Sequence, residues 1–294
     1  SVYRIYHQSF IHFFNRQSLI IREKRLRNSY YLPPEEWHKI IVQYYRAENK
    51  PWNKVNWIKV NDYGLLHLAT HLYALRDVKV NNTKMYRQDL YELICKPFMQ
   101  EKLARFGSYH SFADDVRLAI NLAETEDSPN LVQMIRTCLI YATLISIATN
   151  VAPEILGALA QLGQFERARG YADLIQDAKK RSQAYRLIAE ALLKRGERNS
   201  VHFILKKALE SANSIEEKHE RSIVLSELVQ ALVYAGEQEW AIDVAEQAAV
   251  LAEENRFEFI KADVLLESAR AVALTQRYDR VQDLAMKALT VIEK

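Results

Sequence analysis

His67 and His71 lie four residues apart, the closest approach in this chain to a metal-binding spacing. On a helix that interval places both imidazoles on one face, where they can share a zinc ion. A zinc hydrolase would also carry a glutamate between them, but the segment reads HLATH, with Leu66, Leu68 and Leu72 around it. No third ligand stands nearby, so a packed helix is expected here and no metal. Asp114 and Asp115 read as charges on an exposed helix face rather than as an acid–base pair. Cys95 and Cys138 fall inside apolar helical patterns and read as buried thiols of a reducing compartment. No GxxxxGK[ST] loop, GxGxxG turn or spaced Ser–His–Asp or Cys–His set occurs. The chain is therefore expected to be no enzyme and to hold no cofactor of its own.

His7 is the other candidate. The opening SVYRIYHQSF reads as a short strand, Val2 to His7, running into a helix that Ser9 can cap. Phe10, Phe13 and Phe14 fall on one side of that helix, which is expected to extend to residue 27. The run IREKRLR, residues 21–27, reads as its solvated basic face.

The elements behind these residues follow from composition. The 294 residues include only seven glycines and six prolines, which points to long helices and few loops. All six prolines lie at or before Pro153, as do twelve of the sixteen tyrosines and three of the four tryptophans. The remainder is rich in Ala, Leu and Glu. Residues 1–150 carry 20 Lys+Arg against 14 Asp+Glu, and residues 151–294 carry 20 against 23. So mild a basic bias is not a nucleic-acid signature, and nucleic acid is not an expected partner. Residues 137–153, TCLIYATLISIATNVAP, are uncharged but shorter than the ~20 residues that span a bilayer. A helix buried between neighbouring helices is expected, with no membrane partner and a cytoplasmic location.

The second half repeats itself. GQFERARGYADLI begins at Gly163, GERNSVHFILKKA at Gly196, GEQEWAIDVAEQA at Gly236 and QRYDRVQDLAMKA at Gln276. After each turn, small or apolar residues recur at fixed offsets: Ala168, Ala172, Ile175; Val201, Leu205, Ala208; Ala241, Ala245, Ala248; Val281, Ala285, Ala288. This is helix–turn–helix repetition, in which small residues let paired helices approach and glycine supplies the left-handed turn. The pattern resembles tetratricopeptide repeats, although the signature Trp and closing Pro are absent. The resulting fold class is all-α: an irregular helical bundle over residues 1–125, then a right-handed solenoid of helix pairs over 126–294.

The first half shows no repeat. Helices are expected at 9–27, 35–48, 62–76, 84–105 and 112–125, with no sheet beyond the opening strand. Its landmarks run YRIYHQSFIHFF, EEWHKIIVQYY, DYGLLHLATHL, LYELICKPFMQEKL and YHSFADDVRLAI. That order resembles the region following the nucleotide-binding core of STAND-class signalling NTPases, the NACHT and NB-ARC group. The resemblance implies a winged-helix exit strand with Tyr6-His7-Gln8 at the family's Met-His-Asp motif. His7 would then contact ADP held by an NTPase core in the full-length protein. Gln8 stands where the family has Asp.

A solenoid of this kind presents the first helix of each pair to a partner. The outward positions, aligned on the repeat turns, are Gln183, Arg186, Glu190 and Lys194, then Ser226, Gln230 and Tyr234, then Asp263 and Arg270. Their mixed charge suits a protein or peptide ligand. The expected role is thus the sensor region of an NTPase switch, with an NTPase core in cis. A free-standing helical adaptor is the alternative.

Overall fold

A computed structural model describes residues 18–21, 24–28, 31–46, 50–79, 85–125, 130–254, 258–275 and 278–292. The expected strand Val2 to His7, the Ser9 cap and the turn at Gln276 lie outside the described residues. Apart from one hairpin, the described elements are helical.

The hairpin corrects the first expectation. Residues 9–27 do not form one helix, because β1 (Ser18–Ile21) and β2 (Lys24–Arg27) pair antiparallel, with Ser18 opposite Arg27 and Ile21 opposite Lys24. Ile20 and Ile21 are β-branched and favour the extended backbone over a helix. Of the basic run IREKRLR, Ile21 therefore lies in β1 and Lys24–Arg27 form β2, not a helix face.

The chain forms two compact units. One comprises residues up to Arg105 together with Ser111–Tyr141; the other comprises Phe106–His110 and Ala142–Lys294.

In the first unit, α1 (Pro34–Arg46) starts on a proline whose fixed φ suits a first helical turn, with Glu35 and Glu36 beside the positive end of the dipole. Lys39 pairs with both glutamates at 2.6 and 2.9 Å. Two short 3-10 turns follow, Trp52–Lys54 and Trp57–Lys59, each anchored by a buried tryptophan. Asn61 caps α2 (Asp62–Ala74) by accepting a hydrogen bond from the Gly64 amide at 2.9 Å. A single helix over 84–105 was the expectation; the structure breaks it into α3 (Met85–Leu93) and α4 (Lys96–Phe106). Pro97 explains the break, since it has no N–H to give and crowds the preceding turn. Then come α5 (His110–Glu124) and α6 (Leu131–Thr149), of which His110 and the residues from Ala142 onward are counted with the second unit.

Helix α6 departs from expectation. It is 19 residues long and apolar enough to cross a membrane by length and composition alone, yet only 17% of its apolar window is buried. Thr137, Leu144 and Ala148 are buried, while Leu131, Val132, Ile135, Leu139 and Ile147 are exposed. Its one charged residue, Arg136, donates to the backbone carbonyls of Tyr91 and Ile94 at the end of α3.

In the second unit, α7 (Pro153–Gln161) pairs with α8 (Phe165–Ala172), and α9 (Ala178–Lys194) with α10 (Val201–Asn213). Then α11 (Lys218–Ala235) pairs with α12 (Gln238–Glu253), and α13 (Glu258–Ala273) with α14 (Tyr278–Ile292). Each first helix also packs on the first helix of the next pair. The turns at Gly163, Gly196 and Gly236 have φ of 82°, 75° and 88°, a region costly for any residue with a Cβ. The small-residue seam is inside: Ala168, Ala172, Ala208, Ala241, Ala245, Ala248 and Ala288 are fully buried. Val281 and Ala285, in the last described pair, are only half-buried.

Candidate partner-binding surface

Helices α9, α11 and α13 begin at residues 178, 218 and 258, so positions 40 apart are equivalent. The buried serines obey this register: Ser182 and Ser222 are both fully covered. Ser182 Oγ donates to the Ala208 carbonyl across its helix pair at 2.9 Å. Two ion pairs cross from α9 to α11 at a constant offset of 41, Lys179–Glu220 at 3.4 Å and Arg186–Glu227 at 3.3 Å. A constant offset along two helices requires them to run parallel. The second helices show the same behaviour at an offset of 34, with Arg280–Glu246 and Lys287–Glu253 both at 2.8 Å. Such half-exposed pairs are worth at most about 1 kcal/mol each. They report the register more than they hold it; the buried alanine and leucine seam holds it.

The parallel register arranges the face of the first helices as a grid. One row contains Glu190, Gln230 and Arg270; the next contains Lys194, Tyr234 and Leu274. Lys194, Gln230, Tyr234, Asp263 and Arg270, five of the expected outward residues, are exposed. Gln230 Nε2 donates to the Tyr234 hydroxyl at 3.1 Å, and Arg270 pairs with Glu267 at 2.6 Å. Leu274 was not singled out in the sequence; its 53% exposure beside Tyr234, at 56%, completes an apolar strip within the polar grid. The 40-residue spacing from Tyr234 was the signal that could have found it.

The other expected residues sit differently. Gln183, Arg186 and Glu190 are half-buried. The Arg186 guanidinium is held by Glu190 at 2.7 Å and by Glu227, so it serves the contact between α9 and α11. Ser226 does not face outward: it is 7% exposed and its Oγ donates to the Ile223 carbonyl at 2.8 Å. It takes the packed side of α11 because α11 has first helices on both flanks. His7 lies outside the described residues.

The remaining chemistry-bearing residues are tied into the packing. His71 is buried, and its Nδ1 shares a hydrogen bond with His38 Nδ1 at 2.6 Å while Nε2 meets the Tyr63 hydroxyl at 2.9 Å. Both ring nitrogens are thus engaged, and exposed His67 instead lies against the Tyr63 ring. Burial holds the His38 imidazole below its ordinary pKa. Among the described residues, no three His, Cys, Asp or Glu side chains are grouped to hold a metal. Cys138 is exposed and Cys95 half-buried, not both buried as expected.

Asp115 overturns the reading of the acidic pair. It is 3% exposed and ion-paired to Lys102, whose ammonium is fully buried, donates to the Ser111 carbonyl at 2.9 Å and lies 5.0 Å from the Phe98 ring centre. Burial pushes the Asp115 carboxyl up to about 7 and the Lys102 ammonium down. Only Asp114 is a surface charge, paired with Arg117 at 2.9 Å.

Asp173, just past α8, is a second buried carboxylate. It accepts from the Tyr185 hydroxyl and from Lys207 Nζ, the latter at 2.8 Å, and faces His110 Nε2 at 3.8 Å. Burial alone would raise its pKa, but the Lys207 and Tyr185 hydrogen bonds and the nearby His110 outweigh it and hold the carboxyl below the ordinary value. Tyr185 itself is buried, so this cluster ties α8, α9 and α10 together and offers no open reaction centre.

No protein-family model matches the chain, and no curated protein matches it.

Proposed function

We propose that this chain is a recognition region that captures a protein or peptide on the face of helices α9, α11 and α13. The grid of Glu190, Gln230 and Arg270 beside Lys194, Tyr234 and Leu274 carries this reading. Tyr234 and Leu274 offer apolar anchors, Tyr being a residue type that concentrates binding energy. Arg270 can grip a carboxylate with two parallel N–H donors once Glu267 releases it. Such a surface suits a helical or extended segment of mixed charge. The helix pairs from residue 153 onward are read as a tetratricopeptide-like solenoid, supported by the left-handed glycine turns and the stacking of successive first helices.

The context read for this surface is a switch protein, a reading that rests on the resemblance of the landmark order in the first 125 residues to the helical region of STAND-class NTPases. There, ligand capture would be relayed to a nucleotide-binding core in cis, with ATP or ADP bound to that core. A free-standing adaptor is supported by one observation: the whole grid lies on one compact unit.

The test is affinity capture from the source cell with wild-type and Tyr234→Ala/Arg270→Glu chains, with circular dichroism confirming the fold of both. Loss of a specific partner in the variant supports the reading; equal recovery of the same partners removes it. Sequencing the reading frame upstream of residue 1 separates the two contexts. A phosphate-binding loop and winged helix there support the switch, and a start codon directly before Ser1 supports the adaptor.

A further inference from the structure

A cleft in the first unit is lined by Tyr44 and Tyr45 from α1, by Lys50, Lys54 and Lys59 from the segment of 3-10 turns, and by Asn61 at the cap of α2. Its volume is about 320 Å³, and no carboxylate of the described residues lines it. That volume is at the lower end of small-ligand sites, which run from about 300 to 1,000 Å³.

The walls are fixed. Trp52 and Trp57 are buried and stacked, with ring centres 6.2 Å apart, and Trp57 lies against Phe98 at 4.6 Å. Arg105 donates to the carbonyls of Val60 at 2.6 Å and Ile58 at 3.1 Å, pinning the segment from behind. Tyr45 donates to Asn61 Oδ1 at 2.8 Å and fills the space above Gly64, where a Cβ would lie 2.5 Å from its ring. The tryptophans and arginine turn inward, and the lysines between them are exposed. Lys54 and Lys59 form no ion pair or side-chain hydrogen bond among the described residues. Tyr44 stands beside them, 74% exposed.

Lys54 and Lys59, two ammonium groups at a preformed cleft with no acid paired to either among the described residues, attract a multiply charged anion. Lysine binds phosphate as a point charge, and an exposed tyrosine face can stack a planar group attached to that phosphate. We infer that this cleft is a binding site for a phosphate-bearing ligand, with Lys54 and Lys59 on the phosphates and Tyr44 against whatever they carry. The phosphate can belong to a small phosphorylated compound or to a single-stranded nucleic-acid backbone.

Titration calorimetry on the full chain at low salt, with inorganic pyrophosphate and with an eight-nucleotide oligothymidylate, tests the inference. At least one probe should bind with a dissociation constant below about 1 mM, the range set by a few charge-assisted contacts. Lys54→Ala/Lys59→Ala should weaken it by roughly tenfold or more, and Lys54→Arg/Lys59→Arg should retain it. Tryptophan fluorescence confirms folding of each variant. Pyrophosphate binding that Tyr44→Ala leaves intact assigns the site to a small phosphate compound. Oligonucleotide binding that Tyr44→Ala weakens assigns it to a single strand. Failure of both probes to bind wild type, or binding unchanged by Lys54→Ala/Lys59→Ala, overturns the inference.

Discussion

Lys102 and Asp115 form a buried ion pair whose removal should be costly one side at a time and cheap on both sides together. The Lys102 ammonium has no solvent exposure and Asp115 almost none. Its surroundings are the Ser111 carbonyl and the Phe98 ring. Lys102→Met keeps an unbranched side chain only one atom shorter but leaves a buried carboxylate without its cation. Breaking such a pair costs about 3–5 kcal/mol, and replacing both partners with apolar residues is often neutral or stabilising. Lys102→Met and Asp115→Leu should each therefore lose about 3 kcal/mol or more, a large share of a domain's ~5–15 kcal/mol. The double variant should lie within about 1 kcal/mol of wild type. The assay is urea unfolding followed by tryptophan fluorescence. Three of the four tryptophans, Trp37, Trp52 and Trp57, lie in this unit, and Trp57 touches Phe98. With a slope of about 1–3 kcal/mol per molar urea, each single variant should shift the midpoint by about 1 M or more. Single variants within about 1 kcal/mol of wild type, or losses that simply add in the double variant, would refute the pair as a buried, mutually dependent unit.

Gly64→Ala should destabilise the first unit by about 1–3 kcal/mol, because the new methyl meets both the Tyr45 ring and Val60 Cγ1 at 2.5–2.7 Å; thermal unfolding reads this. Ala168→Arg should cost more than about 2 kcal/mol, since Ala168 is fully buried in the seam. Hydrogen exchange should then show loss of protection across residues 155–210 and little change in the first unit. Asp173 has a folded pKa below its unfolded one, so its contribution is present at neutral pH and is lost as pH falls below the ordinary carboxylate value of 3.8 through the folded value. Asp173→Asn should flatten that acid limb in urea midpoints measured across pH. Arg270→Glu, at a 74% exposed side chain, should change stability by less than about 0.5 kcal/mol in the same urea assay.

The repeat half was legible because small residues and glycines recur at offsets the helix-pair geometry demands. Gly163, Gly196 and Gly236 do take positive φ, and Ala168 through Ala248 are buried where the spacing put them. The outward face was legible less well. Helical periodicity says which side of a helix is polar, but not which polar residues a neighbouring helix covers. Ser226 is small enough to be packed against a flank, and Arg186 is long enough to reach Glu227 on the next helix. In the first half the errors have local causes. Residues 18–27 hold basic residues at intervals that mimic a helix face, while Ile20 and Ile21 favour extension. Asp115 could not be told from Asp114 by type; only the placement of Lys102 thirteen residues earlier, across the turn between α4 and α5, separates them. The Lys54–Lys59 cleft leaves no sequence motif, because its lysines are spaced by buried aromatic anchors rather than clustered.

Photo-crosslinking tests the proposed surface most directly. A benzophenone side chain is placed at position 230, 234 or 270 on the grid, and at exposed Lys206 or Glu210 on α10 as controls. Irradiation in the source cell, followed by mass spectrometry, should give one shared partner from all three grid positions and not from the controls, with capture reduced by Arg270→Glu at the unlabelled positions. Crosslinks equally distributed between grid and control positions, or none from the grid, would contradict a partner-binding role for the α9–α11–α13 face.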